Sequence, residues 1–146
     1  MYNLGNLFKH NRYFSEKGLE GWINRAFKTV TDGKITYEIR NAGIDAEVMS
    51  SEDFEGATFN VTTGDYSGLL KLVTKNLNRA MEYVANEEER GMLYDYVKSF
   101  TEGSIDAHKD GSRHWIRNKS PAVETYIGFI ENYRCIDSFK YWLVVL

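Results

Sequence analysis

Glu131 and Tyr133 are the two side chains in this sequence whose types and spacing best suit joint chemistry. They close the stretch 123–133, VETYIGFIENY, whose β-branched and aromatic content reads as a strand. In a strand, side chains two apart share a face and lie about 7 Å apart along the chain. A carboxylate and a phenol so placed can act together on a peptide. The carboxylate pairs with a free α-ammonium group, and the phenol donates a hydrogen bond to a carbonyl oxygen as negative charge develops on it. The competing reading is a solvated glutamate beside a tyrosine packed at a sheet edge, a common pairing in strands. Gly128, inside the same stretch, marks a bulge or a close backbone approach.

The remaining reactive residues point away from a self-sufficient hydrolase. None of His10, His108 and His114 is followed by Glu, so the His-Glu-x-x-His zinc helix is absent. His108 and His114 are six apart, which suits neither a helix face nor an alternating strand pair, and no cysteine cluster offers a further ligand. Gly103 and Gly111 lack the spacing and the Lys-Ser/Thr of a phosphate loop, and there is no Gly-x-Ser-x-Gly elbow. Cys135 is the single cysteine, with no histidine near it in sequence; it reads as an inert thiol in a reducing compartment.

A net charge of -3 leaves no basic excess to neutralise phosphates, which argues against a nucleic-acid partner. No segment approaches the roughly 18 apolar residues of a membrane span, and residues 1–14 lack the apolar run of a signal peptide. The expectation is a soluble, cytoplasmic protein without membrane partners.

The elements that must position these residues read as α+β. The composition, 42% hydrophobic and 27% charged, is globular, and 146 residues suit one domain. Aromatic content of 14% fits a tyrosine-rich core or a cleft lined with rings. Residues 22–30 are helix or strand, without a deciding pattern. Thr31-Asp32-Gly33-Lys34 reads as a turn, Ile35, Tyr37 and Ile39 as the buried side of a strand, and 57–63 as a second strand; 41–56 reads as a surface loop. Leu69, Leu70, Val73, Leu77, Ala80, Met81 and Val84 form one helical stripe, with Asp65 as its expected N-cap. A second helix begins at Asn86, with Glu89 completing a capping box, and buries Met92, Leu93, Tyr96, Val97 and Phe100. Gly103 ends it, and a polar stretch follows to Pro121. The predicted architecture is therefore a small β-core with a helical hairpin at about 65–110.

The stretch 100–134, FTEGSIDAHKDGSRHWIRNKSPAVETYIGFIENYR, resembles a signature region of the dipeptidyl peptidase III family, and the upstream runs WINRAFKTVTDGKITYEIR and VTTGDYSGLLKLVTKNLNRAMEYVAN resemble further family segments in the same order. The resemblance covers most of residues 22–134. It implies a two-lobed zinc aminopeptidase that removes dipeptides from the N-terminus of short peptides. Its zinc would be held in another lobe by a His-Glu-x-x-Gly-His helix and a later Glu, neither present in these residues. The β-core would be part of a partly open barrel along which an extended peptide lies. Matched position by position, Glu131 would bind the substrate's free N-terminus, Tyr133 would hydrogen-bond near the scissile carbonyl, and Trp115 would border the cleft.

His114 stands where the family has Phe, and Ser120 stands where it has Gly. After Arg134 the sequence CIDSFKYWLVVL departs from the family pattern. The expectation is that 1–134 is part of a lower, peptide-binding lobe. Residues 135–146 are then a divergent tail from a truncated or frame-shifted gene. The chain itself would bind no cofactor and be inactive alone; its partners would be short peptides and the missing catalytic lobe. The alternative is a stand-alone, non-catalytic peptide-binding or scaffold domain.

Overall fold

The computed structural model describes residues 12–18 and 23–128. Among them are four strands, β1 (Asn24–Thr31), β2 (Lys34–Ala42), β3 (Val48–Phe54) and β4 (Ala57–Asp65), in one sheet of order β1-β2-β4-β3. The hairpin β1–β2 turns on Asp32 and Gly33, both at positive φ (51° and 78°), and β3–β4 turns on Glu55 and Gly56 (48° and 76°). Two successive left-handed residues give the turn twist that matches right-handed strands, which is why glycine takes the second place. β4 lies between β3, to which it is antiparallel, and β2, to which it is parallel. The sheet is mixed and open rather than closed into a barrel.

Period-two burial on β2 and β4 builds the first core. Tyr37, Ile39, Ala57, Phe59 and Val61 face inward and meet Tyr13 and Phe14 from the helical residues 12–17. The Phe59 ring stacks between Tyr13, at 4.0 Å, and Tyr37, at 4.7 Å.

Three helices follow, α1 (Ser67–Ala80), α2 (Glu87–Glu102) and α3 (Ile105–Arg117). They build the second core around Leu70, Met92, Leu93, Tyr96 and Phe100, joined by Ile23 and Ala42. The predicted face of α2 is largely buried; of the α1 stripe Leu70 is buried, Val73, Leu77, Met81 and Val84 pack half-buried against it, and Leu69 and Ala80 are exposed. The Asn86 side chain accepts from the Glu89 amide at 2.8 Å, as the capping pattern requires. Gly103 ends α2 at φ 73°, a left-handed C-cap where glycine carries no Cβ penalty. A short set of backbone bonds ties the two cores: Ile23 N–H donates to Gly103 O (2.8 Å), Ala42 N–H to Ile23 O (2.8 Å), and Ile44 N–H to Thr101 O (3.1 Å).

One open region is decided and four expectations are corrected. The undecided 22–30 region is strand β1 over its described part, and the presumed loop 41–56 contains β3. β3 is an edge strand with half-exposed, mostly polar residues, so it carries little apolar alternation to read. The polar stretch after Gly103 is α3, whose buried positions are the small Ala107 and Gly111, too slight for a visible stripe. Asp65 does not cap α1: Tyr66 occupies that place at φ 61°, and the Asp65 carboxylate instead forms a bidentate pair with Arg25, both bonds 2.7 Å. Finally, 123–128 carries no strand; 129–133 lies outside the described residues.

Candidate peptide-binding site

Of the three residues matched to a site, only Trp115 is among those described; Glu131 and Tyr133 lie outside them, as does Cys135. Trp115 sits on α3, two helical turns after His108 and therefore on the same side of it. Its indole N–H donates to Glu124 Oε1 at 2.7 Å. With that donor engaged and the residue 38% exposed, what Trp115 presents to solvent is ring surface.

The segment 121–128, which leads to Glu131, is laid along α3 by three anchors. The first is Glu89, which is buried. One carboxylate oxygen accepts from the Ala85 amide at 2.8 Å; the other accepts from the Ala122 amide at 3.0 Å and the Asn118 side-chain amide at 3.4 Å. These bonds, foremost the one from Ala85 and then that from Ala122, hold the carboxyl below its ordinary range. The second anchor is Trp115, through Glu124 and through the Tyr126 ring 5.3 Å away. The third is His108. Its ring lies 5.8 Å from Tyr126 on one side and stacks at 6.0 Å on Tyr96 of α2 on the other. Burial pushes the His108 pKa down, so the ring is neutral at neutral pH.

Two glycines let α2 and α3 approach closely enough to support this row of rings. A Cβ on Gly111 would stand 3.1 Å from the Tyr96 ring, and one on Gly91 would stand 2.6 Å from the His114 ring. His114 in turn donates from Nδ1 to Glu88 at 2.6 Å, so the imidazole at this position faces α2 and not the segment 121–128.

Sequence reasoning singled out Trp115 and missed the contacts that Glu89 and His108 make with 121–128. Glu89 carried a signal, the capping-box spacing from Asn86, yet its side chain reaches past the cap to Ala85 and Ala122. His108 carried none, since its importance comes from non-local packing.

Among the described residues no group of three or more His, Cys, Asp or Glu side chains is arranged to hold a metal ion. These residues therefore offer no ligand set for a zinc ion, which the family resemblance assigns to another lobe. Also among the described residues, no helix is long and apolar enough to cross a membrane.

The described residues thus form an α+β module in which 121–128 is held against α2 and α3. The chain belongs to peptidase family M49, whose model matches residues 6–140. It is 50% identical to dipeptidyl peptidase 3 of Nematostella vectensis, with 84% of this chain and 19% of that protein covered. To the Homo sapiens protein of the same name it is 45% identical, covering 84% of this chain and 18% of that one. The Dictyostelium discoideum protein is 41% identical, with 86% and 18% covered. The chain thus spans about a fifth of the length of the curated relatives it matches.

Proposed function

We propose that this chain supplies the peptide-binding portion of a zinc dipeptidyl peptidase that removes dipeptides from the N-terminus of short peptides, with residues 1–134 belonging to its substrate lobe. Glu131 pairs with the substrate's α-ammonium group, Tyr133 donates a hydrogen bond to the scissile carbonyl, and Trp115 borders the cleft with its ring face. The zinc belongs to other parts of the whole protein, whose location is cytoplasmic. The observation that carries this reading is the anchoring of 121–128 by Glu89, Trp115 and His108, which supports the chain shortly before it reaches Glu131.

The test is a chimera in which residues 6–140 replace the matching portion of the Nematostella vectensis relative. Dipeptide release from free-amine peptides is the expected result. Glu131→Gln keeps the shape and removes the charge, so it should cost about 2–4 kcal/mol of transition-state stabilisation. That cost should nearly vanish for N-acetylated peptides, which present no cation. Tyr133→Phe should lower kcat with little change in KM, as expected for a bond made mainly in the transition state. If both variants stay within about threefold of the parent in kcat/KM, below ~1 kcal/mol, the two side chains are ordinary structural residues.

A further inference from the structure

The three helices handle their surface charges in two different ways. On α2 and α3, cations stand one turn from carboxylates: Arg90 with Glu87, Lys109 with Asp106, and Arg113 with Asp110. α1 carries Lys71, Lys75 and Arg79 and no carboxylate at all, in a chain whose net charge is -3. Among the described residues, none of these three side chains makes an ion pair or a hydrogen bond. Spaced four apart, they line one side of the helix, where like charges a turn from each other destabilise it. All three are exposed. Leu69 and Leu72, each 60% exposed, stand in the neighbouring row of the same outward side, away from buried Leu70 and Thr74. The row of like charge weakens α1, and the two leucines add nothing to its packing on the rest of the fold. Together they are complementary to a segment in which carboxylates flank apolar residues. The chain spans about a fifth of the length of the curated relatives it matches. In a protein of that length, most of the surface able to meet α1 belongs to other segments.

We propose that the outward side of α1 is a docking surface for an acidic amphipathic segment of the longer protein, which covers Leu69 and Leu72 and pairs its carboxylates with Lys71, Lys75 and Arg79. The inference rests on the reading that the chain works as part of a longer protein, and is independent of the substrate roles of Glu131 and Tyr133. Docking takes the leucines out of water and lowers the dielectric around the three cations, so that apolar contact and charge pairing reinforce one another. A bilayer is the less suited occupant, because the net charge of the chain opposes its approach to an anionic surface.

The experiment uses the chimera in which residues 6–140 replace the matching portion of the Nematostella vectensis relative. Leu72→Cys places a thiol on the outward side, and its alkylation by iodoacetamide is followed by mass spectrometry of the peptide that contains it. Alkylation should be at least about tenfold slower in the folded chimera than in the same protein unfolded in urea. Adding the charge reversal Lys71→Glu, Lys75→Glu and Arg79→Glu should bring the rate to within about threefold of the unfolded one, since like charges then face each other across the contact. Should the charge reversal prevent folding, salt on the Leu72→Cys chimera decides. Alkylation is expected to quicken as ionic strength rises toward about 1 M, where the pairs are screened.

A thiol alkylated as fast in the folded chimera as in the unfolded one overturns the proposal. So does protection that survives both charge reversal and salt, because the covering segment is then not acidic. Flotation of the chimera with phosphatidylserine vesicles, lost on charge reversal, assigns the side to a lipid surface. A dimer of the chimera that the same reversal dissociates assigns it to a second copy. Either result overturns the proposal. Dipeptide release by the chimera tests the peptidase reading separately: release with an unprotected thiol sinks the docking surface alone, and protection without release sinks that reading alone.

Discussion

Glu89 concentrates more structural duty than any other charged side chain near the site. It closes the turn between α1 and α2 through Ala85 and holds the start of 121–128 through Ala122. Its carboxyl is held below the ordinary 4.5 by those N–H donors, so the folded state takes up a proton here less readily than the unfolded chain. The stability it contributes is present above that ordinary value and lost as pH falls through the folded one. His108, lowered from 6.5 by burial, has the same sign: its contribution fades as pH drops below 6.5. Asp95, raised by burial, acts oppositely and offsets part of the loss.

Glu89→Gln should therefore lower the melting temperature by several degrees at neutral pH, because an amide nitrogen must then face one of three donors. It should also flatten the steepest part of the pH–stability curve below 4.5. Thermal melts from neutral pH down to about two units below the ordinary carboxylate value check both. An unchanged acid limb would show that the carboxylate is not held as described.

At the scale of elements, α1 and α2 were legible because each has a stripe of large apolar residues and α2 has a polar cap. The strands β2 and β4 were legible because they alternate on a half-buried sheet. What escaped was everything decided by partners distant in sequence. α3 packs on α2 through Ala107 and Gly111, so close approach replaces bulk and no row of large apolar side chains marks the buried face. β3 exists because β4 offers it an edge. Asp65 sits where a cap would, but Arg25 across the sheet claims it, with its guanidinium also over the Tyr66 ring at 4.4 Å. Trp115 was singled out by family resemblance alone, while the contacts of Glu89 and His108 needed the fold.

Gly103 is the element-scale position most open to test. It sits at φ 73°, and a Cβ there would overlap the Ala42 carbonyl oxygen. Gly103→Ala should destabilise the protein by more than about 1–2 kcal/mol, combining left-handed strain with a backbone clash. Urea titration measures it. Gly33→Ala is the control: its φ is similarly positive but nothing lies within 4 Å of the new Cβ, so its cost should be the smaller one.

Over the whole molecule, the outer side of α1 is the unfinished surface. Leu69 and Leu72 are each 60% exposed. Tyr66, Leu69, Leu70, Val73, Phe100, Ile127 and Gly128 line an open, apolar groove of about 400 Å³. Contiguous apolar surface of this kind promotes self-association. Leu69→Lys with Leu72→Lys should shift the isolated chain toward monomer in sedimentation velocity and leave its melting temperature nearly unchanged, since neither side chain is buried. Persistent association would place the adhesive surface elsewhere.

The backbone joint of Ile23, Ala42, Ile44, Thr101 and Gly103 has a consequence in time rather than in energy. The helices and the β-hairpins close over short stretches of sequence, whereas the bonds Ile23–Gly103 and Ile44–Thr101 of the joint bring together residues 80 and 57 positions apart, at a correspondingly larger loop-closure cost. Each core can therefore assemble on its own before the joint forms. A lesion at Gly103 would then act mainly on how fast the native state comes apart, and little on how fast it is reached. The lifetime of the folded chain would then depend on a few backbone hydrogen bonds, made where Ile23 and Ala42 also enter the second core.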